Sequence, residues 1–223
     1  MMGGRPLTLR DIANKKYDTL PLEDEWFELL GQPERTGRWF IWGNSGNGKT
    51  NFVLQLCKAL RRFGKVLVFS LEESADMTFR DALFSVFRPE ERGVFVWTPE
   101  QLPGGLEDIE QVLDRRGSPP FVVFDSIQCL NLRSYKMYTD FIRKYPNKLL
   151  VFTSQAEKQN PKGGIAHSVM HDAAKKIWVE GYKAFCKGRG KQGEYIIWAE
   201  GAKRYWGMDS PQDYKDRQRR SRP

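Results

Sequence analysis

No apolar run in this 223-residue chain approaches the roughly 20 residues that a membrane-spanning helix requires. The first residues, Met-Met-Gly-Gly-Arg-Pro, also lack the apolar centre of a secretory signal. A membrane-spanning helix is therefore not expected, and the expectation is a cytoplasmic protein without a membrane partner. Cysteine is scarce: Cys57, Cys129 and Cys186 show no CxxC spacing, which argues against a disulfide scaffold or a zinc module. They read as reduced core thiols. Acidic side chains are outnumbered, 28 against 36 Lys and Arg, leaving a formal charge of +8 that suits a polyanionic partner without requiring one. No internal repeat is present. With 40% hydrophobic and 29% charged residues, the chain is globular, and its length suits one substantial α/β domain.

What is present centres on Gly43-Asn44-Ser45-Gly46-Asn47-Gly48-Lys49-Thr50, which reads G-x-x-x-x-G-K-T. Glycines let the backbone fold back so that successive N–H groups point at an anion. Lys49 can reach the β- and γ-phosphates of a nucleotide, and the Thr50 hydroxyl is placed to hold Mg²⁺. The flanks match the motif. Arg38 to Trp42 has strand character, and Phe52, Val53, Leu56 and Leu60 recur at helical spacing. Strand, loop and helix together predict a nucleoside triphosphate site, with the helix N-terminus aimed at the phosphates.

The rest of the chain alternates. Leu22 to Leu30 reads as a short helix leading into the loop's strand. Lys65 to Leu71 is a nearly continuous apolar run, as in a strand covered on both faces. Ser74 can cap a helix from Ala75 to Phe87. Val94 to Trp97 and Phe121 to Asp125 read as strands, Leu106 to Arg116 and Tyr135 to Lys144 as helices. Leu149 to Thr153 reads as a strand ending at Ser154-Gln155. This order predicts a mostly parallel, doubly wound sheet with its ligand beyond the carboxyl ends of the strands. Glu72, Asp125 and Gln155 all fall at such ends. The last third differs: Lys175 to Val179, Tyr182 to Cys186 and Glu194 to Ala199 suggest antiparallel hairpins. Three segments result. Residues 1–21 form an arm with apolar Leu7, Leu9, Ile12 and Leu20, suited to docking on this chain or a neighbour. Residues 22–202 form the core, and residues 203–223 a loosely ordered tail with seven basic and three acidic side chains.

Each strand-end residue suits a task. Asp125 ends an apolar strand, the Walker B arrangement, and can hold Mg²⁺ opposite Thr50. Glu72 can orient and deprotonate the water that attacks the γ-phosphate; Glu73 is its rival or a first-turn helix acid. Gln155 is a neutral donor suited to sensing the γ-phosphate.

Taken in order, GNSGNGKT, VLVFSLEES, FVVFDSIQ, LLVFTSQ and KGRGKQGEY resemble the motifs of RecA-like ATPases. The similarity is greatest to the branch of the DnaB replicative helicase and the RadA recombination helicase, and covers roughly Leu22 to Trp198. It implies a RecA-like core that uses ATP and Mg²⁺, with Glu72 as the catalytic glutamate and Gln155 as the sensor. Lys187-Gly188-Arg189-Gly190 resembles the branch's K-x-R hairpin, whose Lys and Arg reach the γ-phosphate of a neighbouring subunit. The resemblance therefore implies a homo-oligomer, a hexameric ring or a filament. It also places two loops, Asn131 to Lys136 and Glu157 to Ala166, where the family faces DNA; the second carries the flexible Gly163-Gly164 pair. Lys136, Lys158 and Lys162 would contact phosphates of single-stranded DNA without reading sequence. The zinc and peptidase-like modules of RadA and the primase-docking domain of DnaB have no counterpart in this sequence. Such a bare core suits a phage or mobile element. The expected function is an ATP-driven translocase or helicase in DNA replication or recombination. The alternatives are an ATP-switched adaptor that recruits a replication or recombination partner and, less favoured for want of a helical lid, a helicase loader.

Overall fold

The computed structural model describes residues 5–72, 74–188 and 190–207. Its elements, in chain order, are α1 (Leu9–Ala13), α2 (Asp24–Leu30), β1 (Gly37–Gly43), α3 (Lys49–Leu60), β2 (Val66–Ser70), α4 (Met77–Val86), β3 (Val94–Trp97), α5 (Leu106–Leu113) and β4 (Phe121–Asp125). There follow α6 (Tyr135–Lys144), β5 (Leu149–Glu157), β6 (Asn160–Pro161), α7 (Gly164–Asp172), β7 (Lys175–Glu180), β8 (Lys183–Gly188), β9 (Glu194–Ile196) and α8 (Ala199–Trp206). The sheet runs β3-β2-β4-β5-β1-β7-β8-β9, with β6 paired to β5. Strands β3 to β7 along this path are all parallel, whereas β7–β8 and β8–β9 are antiparallel. The expected parallel sheet with a C-terminal antiparallel extension is therefore present.

Alternation along the strands builds two cores. On β1, Trp39 and Ile41 enter one cluster with Phe52, Leu56 and Leu60 of α3. Phe40 and Trp42 face the other, with Ile109 of α5, Phe141 of α6 and Val169 of α7. The inner strands β2 and β4 are thus buried on both faces along their whole length, which is why each reads as a nearly unbroken apolar run. Among the described residues no helix is long and apolar enough to cross a membrane.

Several boundaries differ from the sequence reading. The helix expected from Ala75 starts at Met77, because Asp76 rather than Ser74 is its cap; the Asp76 carboxylate accepts the Phe79 N–H at 2.8 Å. The helix expected to reach Arg116 ends at Leu113. Strand β5 runs on to Glu157, and the segment expected to be a loop to Ala166 instead turns back as β6 and enters α7 at Gly164. Gly163 and Gly164 misled: Gly163, at φ 93°, is the helix cap rather than part of a flexible pair. Ala199 opens α8 instead of closing a strand, and within that helix Gly201 packs against Trp198 and Tyr182 too closely to admit a side chain. The arm is divided as well. Leu20 is fully buried and its N–H bonds to Pro33, so it belongs to the core, while Leu7 and Leu9 are 71% and 87% exposed. Of the tail, residues 208–223 lie outside the described residues.

Candidate active site

The loop leaving β1 is shaped by its glycines. A Cβ on Gly43 would stand 2.3 Å from the Val179 carbonyl oxygen of β7, so the strand pairing itself demands glycine there. Gly43→Ala is expected to cost about 2 kcal/mol by overpacking. That lowers the melting temperature by roughly 4–8 °C, measurable by calorimetry. Gly46 and Gly48 hold φ of 75° and 91°, left-handed values that turn the chain into α3. No side chain caps α3, which leaves the first-turn N–H groups for an anion. Asn47 locks the loop to the β7–β8 turn: its Oδ1 accepts the Gly181 N–H at 2.8 Å and its carbonyl accepts the Tyr182 N–H at 3.2 Å.

A cleft of about 320 Å³ opens above this loop. It is lined by Asn44, Ser45, Gly46, Gly48, Lys49 and Thr50 of the loop and α3 together with Glu72, Gln155 and Tyr182. The sheet brings these distant residues together. Ser70 of β2 pairs with Asp125 of β4, and the Leu71 and Glu72 N–H groups both donate to the Asp125 carbonyl, at 2.5 and 3.1 Å. Gly43 of β1 pairs with Gln155 of β5. Side chains finish the arrangement: Ser126 Oγ and Gln155 Nε2 both donate to Glu72 Oε1, at 2.6 and 3.0 Å. Two donors on one oxygen fix the orientation of the carboxylate.

Asp125 is only 8% exposed. Burial pushes its carboxyl above the ordinary range, while the Lys49 charge and the Thr153 hydroxyl, which donates to Oδ1, pull it back and nearby Glu72 raises it again. The donor set suits Mg²⁺. Among the described residues no three His, Cys, Asp or Glu side chains cluster for a metal. One carboxylate and one hydroxyl completed by phosphate oxygens and water is the way Mg²⁺ is held beside nucleotides.

This is a RecA-like fold. A solved structure similar to the chain is the flagellar accessory protein FlaH from Methanocaldococcus jannaschii, at a TM-score of 0.53 and 16% identity over 77% of this chain and 87% of that one. No family model matches the sequence, and no curated protein matches it.

Around the RecA-like core, the other expected residues fall in different places. Lys187 lies on β8 opposite Lys176 of β7, which pairs with Phe40 of β1. Because β8 runs antiparallel, its end leaves the sheet on the side away from the phosphate loop. Phe40 precedes Gly43 by three residues, so Lys187 sits roughly 10 Å back along the strands. Lys187 is therefore set back along the sheet from its own chain's cradle. Its base is stiff: Lys191 pairs with Glu28 of α2 at 3.0 Å and covers the Phe27 ring at 4.2 Å. A Cβ on Gly193 would meet the Glu28 carbonyl oxygen at 2.0 Å. Arg189 and Glu73 lie outside the described residues.

Of the lysines expected to meet DNA, Lys136 sits in the first turn of α6, which spans the expected Tyr135 to Lys144, and pairs with Asp140 at 2.5 Å. Lys158 occupies the exposed β5–β6 turn at φ 59°, and Lys162 borders a second cleft of about 620 Å³ with Arg133, Gly163 and Gly164. The sequence reading missed Ser126, Tyr182, Arg133 and Gln128. Gln128 was visible within the quoted DSIQ, yet its role depends on contacts with Ser154 and Lys162.

Proposed function

We propose that this chain is an oligomeric, Mg²⁺-dependent ATPase of the DnaB and RadA branch that binds single-stranded DNA and couples hydrolysis to translocation, in replication or recombination. The observation that carries the proposal is the single cleft in which Lys49 and Thr50 face Glu72 and Gln155. The uncapped α3 N-terminus and Lys49 hold the β- and γ-phosphates. Thr50 and Asp125 hold Mg²⁺, which when bound neutralises phosphate charge. Glu72 takes a proton from water, the water oxygen bonds to the γ-phosphorus, and the bond to the bridging oxygen breaks to leave ADP and phosphate. Gln155 stabilises the γ-phosphate, and Tyr182 offers its ring to the base. Lys187 and Arg189 act on a neighbour's nucleotide, consistent with a hairpin turned away from its own cradle. The arrangement fits a hexamer or filament. The second cleft, with Arg133 and Lys162 and the uncapped start of α7, suits a phosphodiester backbone.

A second reading is an ATP-switched adaptor that recruits a replication or recombination partner. It is favoured by Glu72 Oε1, which in this arrangement already takes two hydrogen bonds from this chain's own Ser126 and Gln155. Steady-state ATP hydrolysis with and without oligo(dT) separates the two. The motor reading expects stimulation by DNA of about tenfold or more. Slow turnover that DNA leaves unchanged would establish the adaptor.

A further inference from the structure

The chain from Gln155 to Gly163 leaves the sheet at the end of β5, turns at Lys158-Gln159, returns through β6 and feeds α7. Three side-chain groups grip it, all from elements next to the nucleotide cleft. Asn44 of the phosphate loop donates from Nδ2 to the Lys158 carbonyl at 3.2 Å, and Trp42 of β1 donates from Nε1 to the Gln159 carbonyl at 3.0 Å. Gln128, in the turn that follows β4, donates twice from Nε2, to Ser154 Oγ at 2.8 Å and to the Lys162 carbonyl at 2.9 Å.

The Gln128 contacts continue into the site. Ser154 Oγ donates onward to the Gln155 carbonyl at 2.8 Å, and that same carbonyl accepts the Lys162 N–H at 2.8 Å. Gln155 in turn donates from its side chain to Glu72. Gln128 thus joins the strand end that presents Gln155 to the returning strand that carries Lys162. It also borders two spaces: an open trough shared with Glu72 and Gln155, and the 620 Å³ cleft shared with Arg133, Lys162 and Gly164. Its Oε1 is buried and has no hydrogen-bond partner among the described residues.

We propose that Gln128 is the positioning residue through which the nucleotide cleft sets the shape of the second cleft. The inference rests on the reading of the first cleft as an ATP site. When the Gln155 amide leaves Glu72 for a γ-phosphate, the Ser154 and Lys162 contacts move together through the one amide nitrogen. The mouth of the second cleft at Lys162–Ile165 moves with them. Only a side chain with two hydrogens on one uncharged nitrogen makes both bonds. Glutamate would set a carboxylate against the Lys162 carbonyl, and methionine would keep the volume but donate nothing.

Hydrogen exchange read by mass spectrometry tests this, using the Mg²⁺ complex of ATPγS as probe on the wild type, Gln128→Glu and Gln128→Met. Fluorescent-ATP titration and melting curves run in parallel. In the wild type, nucleotide is expected to slow exchange in residues 43–50 and to change it by about threefold or more in residues 155–166. In both variants the first response persists, nucleotide affinity stays within about threefold, and the second response disappears. Should Gln128→Glu melt far below the wild type, Gln128→Met decides. A variant that keeps the response in 155–166 overturns the proposal, as does a wild type that responds in 43–50 alone. If ATPγS binds nowhere, the ATP reading fails first and the inference with it.

Discussion

Glu72→Gln is expected to cut ATP turnover by about a hundredfold or more while ATP binding changes by no more than about threefold. The substitution keeps the shape of the side chain. Its oxygen can still accept from Ser126 and Gln155, so the cleft wall keeps its geometry. What disappears is the basic site that takes the proton as water bonds to phosphorus. A residue acting only on chemistry lowers the rate without weakening binding, and fluorescent-ATP titration beside single-turnover hydrolysis reads the two separately. Glu73→Gln serves as the comparison and is expected to remain active. If Glu73→Gln loses hydrolysis and Glu72→Gln keeps it, the base has been assigned to the wrong carboxylate. A slow Glu72→Gln that also fails to bind ATP would make Glu72 a binding group instead.

The parts of the site readable in the sequence are those set by local chain geometry. Gly46, Gly48, Lys49 and Thr50 lie within one turn, and their spacing alone specifies a cradle and a helix N-terminus. Asp125 and Gln155 were legible because apolar runs that end in a polar residue mark strands opening at the ligand side of a parallel sheet. The contacts that organise the cleft were hidden, because they depend on register. Gln155 meets Glu72 across 83 positions of sequence, and Asn47 meets Gly181 across 134. Nothing in GYK announces that Tyr182 will face the phosphate loop. The Gly163-Gly164 pair failed in the opposite way, since a glycine pair fits a flexible loop and a helix start equally well until α7 is seen packed against β6 and α6. Lys136 is claimed both by the loop after Walker B and by the helix read from Tyr135; its Asp140 partner one turn along holds it on the helix face.

The second large effect concerns the hairpin. The Lys187→Ala/Arg189→Ala double variant is expected to lose hydrolysis by about a thousandfold, within the range for removal of a trans-acting cation. It should keep ATP binding, because Lys187 leaves the sheet on the side opposite its own cradle. Mixing it with Glu72→Gln then gives a sharper result. Each parent is nearly inactive alone, for different reasons. Where a double-variant subunit supplies Glu72 and a Glu72→Gln neighbour supplies Lys187 and Arg189, one interface is whole. In a head-to-tail ring or filament assembled at random from equal amounts, about one quarter of the interfaces have that order, so the mixture should recover about a quarter of wild-type turnover. Turnover per chain in the wild type should also rise with protein concentration until assembly is complete. Activity no higher than the mean of the parents, with wild-type turnover independent of concentration, would mean that each chain works alone. The stiff base of the hairpin, where Lys191 is held by Glu28 and Phe27, would then serve only to tie β8 and β9 to α2. Recovery in the mixture makes that same base the device that aims two cations across a subunit boundary.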